Sequence, residues 1–146
     1  MKNTFFHVSR AAALTACAFA TSQMQAALIP TVSVNVPFEF MVAGKTLPAG
    51  SYTITSANSK AGASIFMVRN NATNKGALAV MSGRSWPKET DPKTPQVVFA
   101  CRDENCYMQE LKIPGSDGYV APLPKLTPAQ RERQVALNAG YAAVGK

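Results

Sequence analysis

The sequence predicts an all-β domain: an antiparallel β-sandwich or small barrel of about seven to eight strands with a short C-terminal helix. Three observations carry that expectation. Apolar residues recur with a period of two, most clearly where Val34, Val36, Phe38 and Phe40 alternate with Asn35, Pro37, Glu39 and Met41. Short β-rich runs follow one another at roughly 8–14-residue spacing, with Gly, Pro, Asn and Ser between them. The period changes only near the C-terminus, where Thr127-Pro128-Ala129-Gln130 carries helix-start chemistry.

Residues 34–54, VNVPFEFMVAGKTLPAGSYTI, are the stretch on which the rest is organised. Pro37 offers no backbone N–H, so it belongs at a bulge or sheet edge and bends residues 34–36 away from 38–42. Ala43-Gly44-Lys45 turns the chain. Leu47-Pro48-Ala49-Gly50 turns it again, Pro fixing φ and Gly free to take φ > 0. Residues 51–55, SYTIT, resume as a strand of β-formers.

This segment resembles a family of small secreted acidobacterial-type β proteins with a V-P-F-[DE]-F and L-P-A-G-[ST]-Y core. The resemblance covers residues 32–111 and, more loosely, the tail. It implies a β fold and an export route, and no activity. Its separate parts recur in unrelated β-domains, and the cysteine pair at Cys101 and Cys106 lies outside the pattern.

The chain has 146 residues, enough for one domain. Lys2 and Arg10 precede a small or apolar run over residues 11–20, the layout of a signal peptide. The run is too short to span a bilayer as a helix. Cleavage after Ala26 or Ala27 is expected, with Ser22 as an alternative. A second alternative is a lipobox, Leu14-Thr15-Ala16-Cys17, with Cys17 lipidated. The expected division is residues 1–26 as leader, 27–124 as β-domain and 125–146 as helical tail. No transmembrane segment remains after cleavage.

Loss of the leader removes Lys2, Arg10 and His7, the only histidine, and leaves 13 of the 15 basic residues against 8 acidic ones. A formal charge of +5 suits steering toward anionic envelope polymers. It is not the concentrated basic stripe of a nucleic-acid binder, so no nucleic-acid partner is expected.

The other strands follow in order: 64–69 (SIFMVR), 77–82 (ALAVMS), 96–100 (QVVFA), 106–113 (CYMQELKI) and a short 119–121. The run 70–76 (NNATNKG) is hairpin chemistry, and its Asn71-Ala72-Thr73 sequon needs no other explanation. In 106–113, strict alternation places Tyr107, Gln109 and Leu111 on one face and Met108, Glu110 and Lys112 on the other. Residues 83–95 (GRSWPKETDPKTP) form the longest irregular segment, the kind of loop that carries function. In the tail, Thr127 is the N-cap, Pro128 takes N1 and Gln130 takes N3, with a helix from Arg131 to about Ala139.

Cys101 and Cys106 bracket a four-residue loop between two strands. In an exported chain that spacing favours a disulfide at a hairpin end. A redox pair would have C-x-x-C spacing, and a metal site would need further ligands that the histidine-free mature chain does not supply. No cofactor and no metal are expected. Without histidine, the Ser-His-Asp and Cys-His nucleophile systems are excluded. Glu39 and Glu110, both on expected strands, are the pair to examine for glycosidase geometry. Solvated sheet faces are the simpler account of both. The candidate ligand site is Arg84, Trp86 and Lys88: an indole stacks on a sugar ring and flanking cations hold an anionic group. The competing reading folds Trp86 back over the end of the core. The functional expectation is therefore a non-enzymatic exported β-domain, structural or adhesive, that associates with itself or with envelope polysaccharide or protein. Residues 28–36 serve as an edge strand or arm. The alternative is a carbohydrate-binding module using the Trp86 loop.

Overall fold

Strands with one apolar face must bury it, and here two sheets bury theirs against each other. The computed structural model describes residues 30–60, 63–86, 88 and 93–142. Twelve strands are formed in chain order: β1 Val32–Val36, β2 Phe40–Val42, β3 Lys45–Leu47, β4 Gly50–Lys60, β5 Ala63–Asn70, β6 Gly76–Met81, β7 Gly83–Ser85, β8 Gln96–Arg102, β9 Asn105–Lys112, β10 Gly118–Val120, β11 Glu132–Asn138 and β12 Gly140–Tyr141. The five-stranded sheet runs β12-β1-β4-β5-β6. The seven-stranded sheet runs β11-β8-β9-β10-β7, with β2 pairing to β9 and β3 to β2. Neither closes into a barrel. All pairings are antiparallel except the single parallel bridge Met41↔Tyr107 between β2 and β9.

The organising stretch changes sheet twice. β1 lies in the five-stranded sheet and ends at Val36; Pro37, Phe38 and Glu39 make the corner, and β2 begins in the seven-stranded sheet. The two-residue rhythm survives the corner: Val32, Val34, Val36, Phe40 and Val42 are all buried. Ala43 (φ 48°) and Gly44 (φ 81°) then form a two-residue hairpin turn between Val42 and Lys45. Positive φ at both central residues is the turn whose twist matches the strands. Pro48 and Ala49 carry the chain back from β3 to β4, where Tyr52, fully buried, donates its hydroxyl proton to the Pro48 carbonyl at 2.6 Å. Phe40 packs edge-on against both Tyr52 (5.0 Å between ring centres) and Phe99 (5.2 Å), and Phe38 against Phe99 (5.3 Å). One apolar core thus joins both sheets, with Phe66 on Tyr119 at its far end.

Three expectations need correction. The expected C-terminal helix is a strand: β11 pairs with β8 over seven residues, from Glu132↔Arg102 to Asn138↔Gln96. The capping interaction does form, since Thr127 donates its N–H to Gln130 Oε1 at 3.2 Å. It closes a single turn and no helix follows. β8 explains why. Six of its seven residues are buried, and an edge that apolar must be covered. Val135 and Leu137, at strand spacing, pack onto the core beside it.

The strict alternation expected of β9 also fails. The β8–β9 register shifts between Val98↔Glu110 and Phe99↔Met108, so Gln109 is an extra residue, a β-bulge. Met108 and Leu111, three apart, therefore both enter the core. Finally, residues 83–85, expected to be irregular, form β7 on the edge of β10. These short strands raise the count above the expected seven to eight. The expected arm is also paired: β1 lies between β4 along its length and β12 at Val32 and Ser33. Leu28, Ile29 and the whole expected leader, Cys17 included, lie outside the described residues.

Candidate functional site

Arg84 and Trp86 sit at the end of the fold where β7 leaves the five-stranded sheet behind. Arg84 opposes Tyr119 across the β7–β10 ladder, and its guanidinium lies 4.2 Å from the centre of the buried Tyr119 ring. Its Nη2 donates to the Oγ of buried Ser64, on the opposite sheet, at 3.4 Å. The cation therefore ties the two sheets together at their open end. Trp86, just past β7, is 79% exposed. It does not fold back over the core, and its indole face is open to solvent. Lys88 is exposed in the same segment. Pro87 and residues 89–92, which include Glu89 and Asp91, lie outside the described residues. Of the three residues expected to bind a ligand, all are exposed, and Arg84 also contacts Tyr119 and Ser64.

The carboxylates are dispersed. Glu39 is exposed at the Pro37 corner. Glu110, on β9, accepts a short hydrogen bond from Ser85 Oγ. That bond passes over Gly118 of β10, where a Cβ would meet Ser85 Oγ at 2.2 Å and Glu110 Oε1 at 2.7 Å. The glycine thus makes room for a tie between the strands on either side of it. Glu132 is paired with Arg102, Nη2 to Oε2 at 2.6 Å and Nε to Oε2 at 2.8 Å. Arg102 also donates from Nη1 to the Pro124 carbonyl, fastening the stretch 121–131 that runs from β10 across to β11. Among the described residues, no three His, Cys, Asp or Glu side chains converge as metal ligands. No helix among them is long and apolar enough to cross a membrane.

Cys101 and Cys106 form a disulfide. They face each other in the β8–β9 register, one pair before the turn at Asp103 and Glu104. Cys101 is buried in the core, and the bridge pins this hairpin end.

A concavity lies elsewhere. A cleft of about 460 Å³ opens where the seven-stranded sheet forks, β2 entering beside Tyr107 and β10 leaving beside Leu111. Its walls are residues 41–44, residues 121–124 and the Ala79–Val80 portion of β6; Tyr107 and Met108 line its base. Apart from the Tyr107 hydroxyl it carries no ionisable side chain. Sequence reasoning missed it because its walls come from four segments far apart in the chain. The one signal it left was the uncharged run of β6, residues 76–81.

No family model, curated protein or solved structure matches the chain.

Proposed function

We propose that the chain is an exported β-domain with a non-enzymatic, structural or adhesive role at the cell envelope. One observation carries this reading. The polar clusters among the described residues join strand to strand: Arg84 to Ser64, Ser85 to Glu110, and Arg102 to Glu132 and Pro124. The cleft beside Tyr107 is apolar and offers no acid–base pair. Catalysis by proton transfer needs such groups converging on one point. The disulfide and the leader-like start of the sequence fit an oxidising compartment. The resemblance to small secreted β proteins points the same way. The test is cell fractionation of protein produced with its own leader. Processed protein lacking residues 1–26, in the envelope or the medium, is expected. Unprocessed protein in the cytosol would overturn the reading.

A second reading, a carbohydrate-binding module, is favoured by the 79% exposure of Trp86. Its test is a glycan array with wild type and Trp86→Ala. Binding lost in the variant supports it, and no binding, or binding unchanged by the substitution, removes it.

A further inference from the structure

β6 is an edge strand with an open side. Lys75 O accepts the Asn70 N–H, so its carbonyl points toward β5. Gly76 O accepts instead from Lys45 Nζ at 2.7 Å, so its carbonyl points the other way. Alternation along an antiparallel ladder then directs the N–H and C=O groups of Leu78 and Val80 outward too. No described strand pairs with them there. Their side chains are also unusually exposed, Leu78 at 47% and Val80 at 43%. Edge strands are commonly blunted by charge, and Lys45 does this at Gly76. From Leu78 to Val80 no charged side chain among the described residues is hydrogen-bonded to the edge. The Ala79–Val80 part of this edge is one wall of the apolar cleft. The other walls are residues 41–44 and 121–124.

We propose that the open edge at Leu78–Val80 is completed by residues 27–29 of a second copy of this chain. The proposal rests on the export reading, because cleavage after Ala26 makes Ala27-Leu28-Ile29 the start of the processed protein. These three residues are uncharged and apolar, like the cleft, and match the three-residue length of the open edge. The arm cannot reach its own β6. β1 stands three strand positions from β6, about 14 Å. Thr31 is fixed to the far side of β1 by the Ala142 N–H, at 2.9 Å. Pro30 alone then spans only about 3.5 Å. The pairing is therefore between copies. It joins two different surfaces, so it propagates head to tail instead of closing as a two-fold dimer.

The experiment uses the processed protein, a variant lacking residues 27–29 (acceptor only) and Val80→Lys (donor only), followed by analytical ultracentrifugation. The processed protein is expected to form concentration-dependent oligomers, and each variant alone to be monomeric. A mixture of the two is expected to give a one-to-one dimer. Val80→Pro, which removes an outward N–H and leaves the β5 ladder intact, is the second acceptor-defective variant, and circular dichroism checks that each variant folds. In a parallel measurement, a labelled peptide of residues 27–33 is expected to bind the arm-deleted protein saturably and the arm-deleted Val80→Lys protein at least tenfold more weakly. Oligomers that survive loss of the arm, equal peptide binding to both proteins, or a monomeric processed protein would each overturn the proposal while leaving the export reading intact. Unprocessed cytosolic protein would sink both.

Discussion

The pair Arg102–Glu132 gives the sharpest test of the C-terminal strand. Arg102 closes the β8–β11 ladder at its first pairing, and its side chain is only 7% exposed, against 22% for Glu132. Removing one partner of a buried ion pair costs about 3–5 kcal/mol, because the other charge is left unpaired. The two single substitutions should differ. After Arg102→Ala, the Glu132 carboxylate can turn to water, so the loss falls at the lower end, about 3 kcal/mol. After Glu132→Ala, the guanidinium stays enclosed, with the Pro124 carbonyl and the Tyr107 ring, 5.9 Å away, as its remaining partners. That loss is expected to equal or exceed the first. The double variant Arg102→Met/Glu132→Leu should cost less than the sum of the singles, with a coupling of about 2 kcal/mol. Urea unfolding followed by intrinsic fluorescence reads all three. A domain of this size has about 5–15 kcal/mol in all, so a 3 kcal/mol loss should lower the melting temperature by roughly 10 °C. A single-substitution loss below about 1 kcal/mol, or a coupling near zero, is what exposed pairs show. Either result would refute the docking of β11 on β8.

Three further predictions follow from the core. Tyr52→Phe removes the bond to the Pro48 carbonyl without opening a cavity, and should cost about 1 kcal/mol by urea titration. Gly76→Ala places a Cβ 2.2 Å from the Val68 carbonyl oxygen, a backbone atom that cannot step aside, and should cost about 2 kcal/mol or more. Gly140→Ala, with nothing within 4 Å of the added Cβ, is its neutral control; equal melting temperatures for the two would contradict the packing at Gly76. Replacing Cys101 and Cys106 by Ala opens a very short loop, so by chain entropy the loss should be at most about 2 kcal/mol, and the protein should stay folded. Complete unfolding on reduction would show the bridge to be more than a local staple.

How much of this was legible in the sequence depends on the range of the forces involved. Where one strand's own side chains decide its orientation, as in Val34, Val36 and Phe40, alternation located the core correctly. The Gly44 and Pro48 turns were equally legible, because φ is a property of single residues. What failed was set from a distance. The bulge at Gln109 lets both Met108 and Leu111 face inward and has no local marker, and its carbonyl is taken by the N–H of Ala121, just past β10, at 2.8 Å. In the tail, Thr127 and Gln130 gave a true local signal that the exposed apolar edge of β8 overrode after one turn. Of the candidate ligand residues, Trp86 is set outward. The role of Arg84 as a tie between sheets needed Ser64, twenty residues away in the chain.

The same view explains what the V-P-F-E-F and L-P-A-G-S-Y segments do. The first carries the chain from one sheet to the other at Pro37, and the second carries it back at Pro48. Such transfers are the weak points of a layered fold, because the ladder is interrupted and the backbone must leave one hydrogen-bonding plane for another. Phe38, Phe40 and Tyr52 supply the compensation. Phe38 and Phe40 meet Phe99 edge-on in the core, Tyr52 meets Phe40, and the Tyr52 hydroxyl satisfies the carbonyl of the second corner. Every conspicuous residue of the two segments is thereby accounted for by sheet exchange, except Glu39, which is exposed. A chain that shares these segments should therefore share the double exchange between sheets, and nothing in them prescribes a ligand or a reaction. In this chain the core leaves the side chain undictated at Trp86 and along the outward face of β6, at Leu78 and Val80.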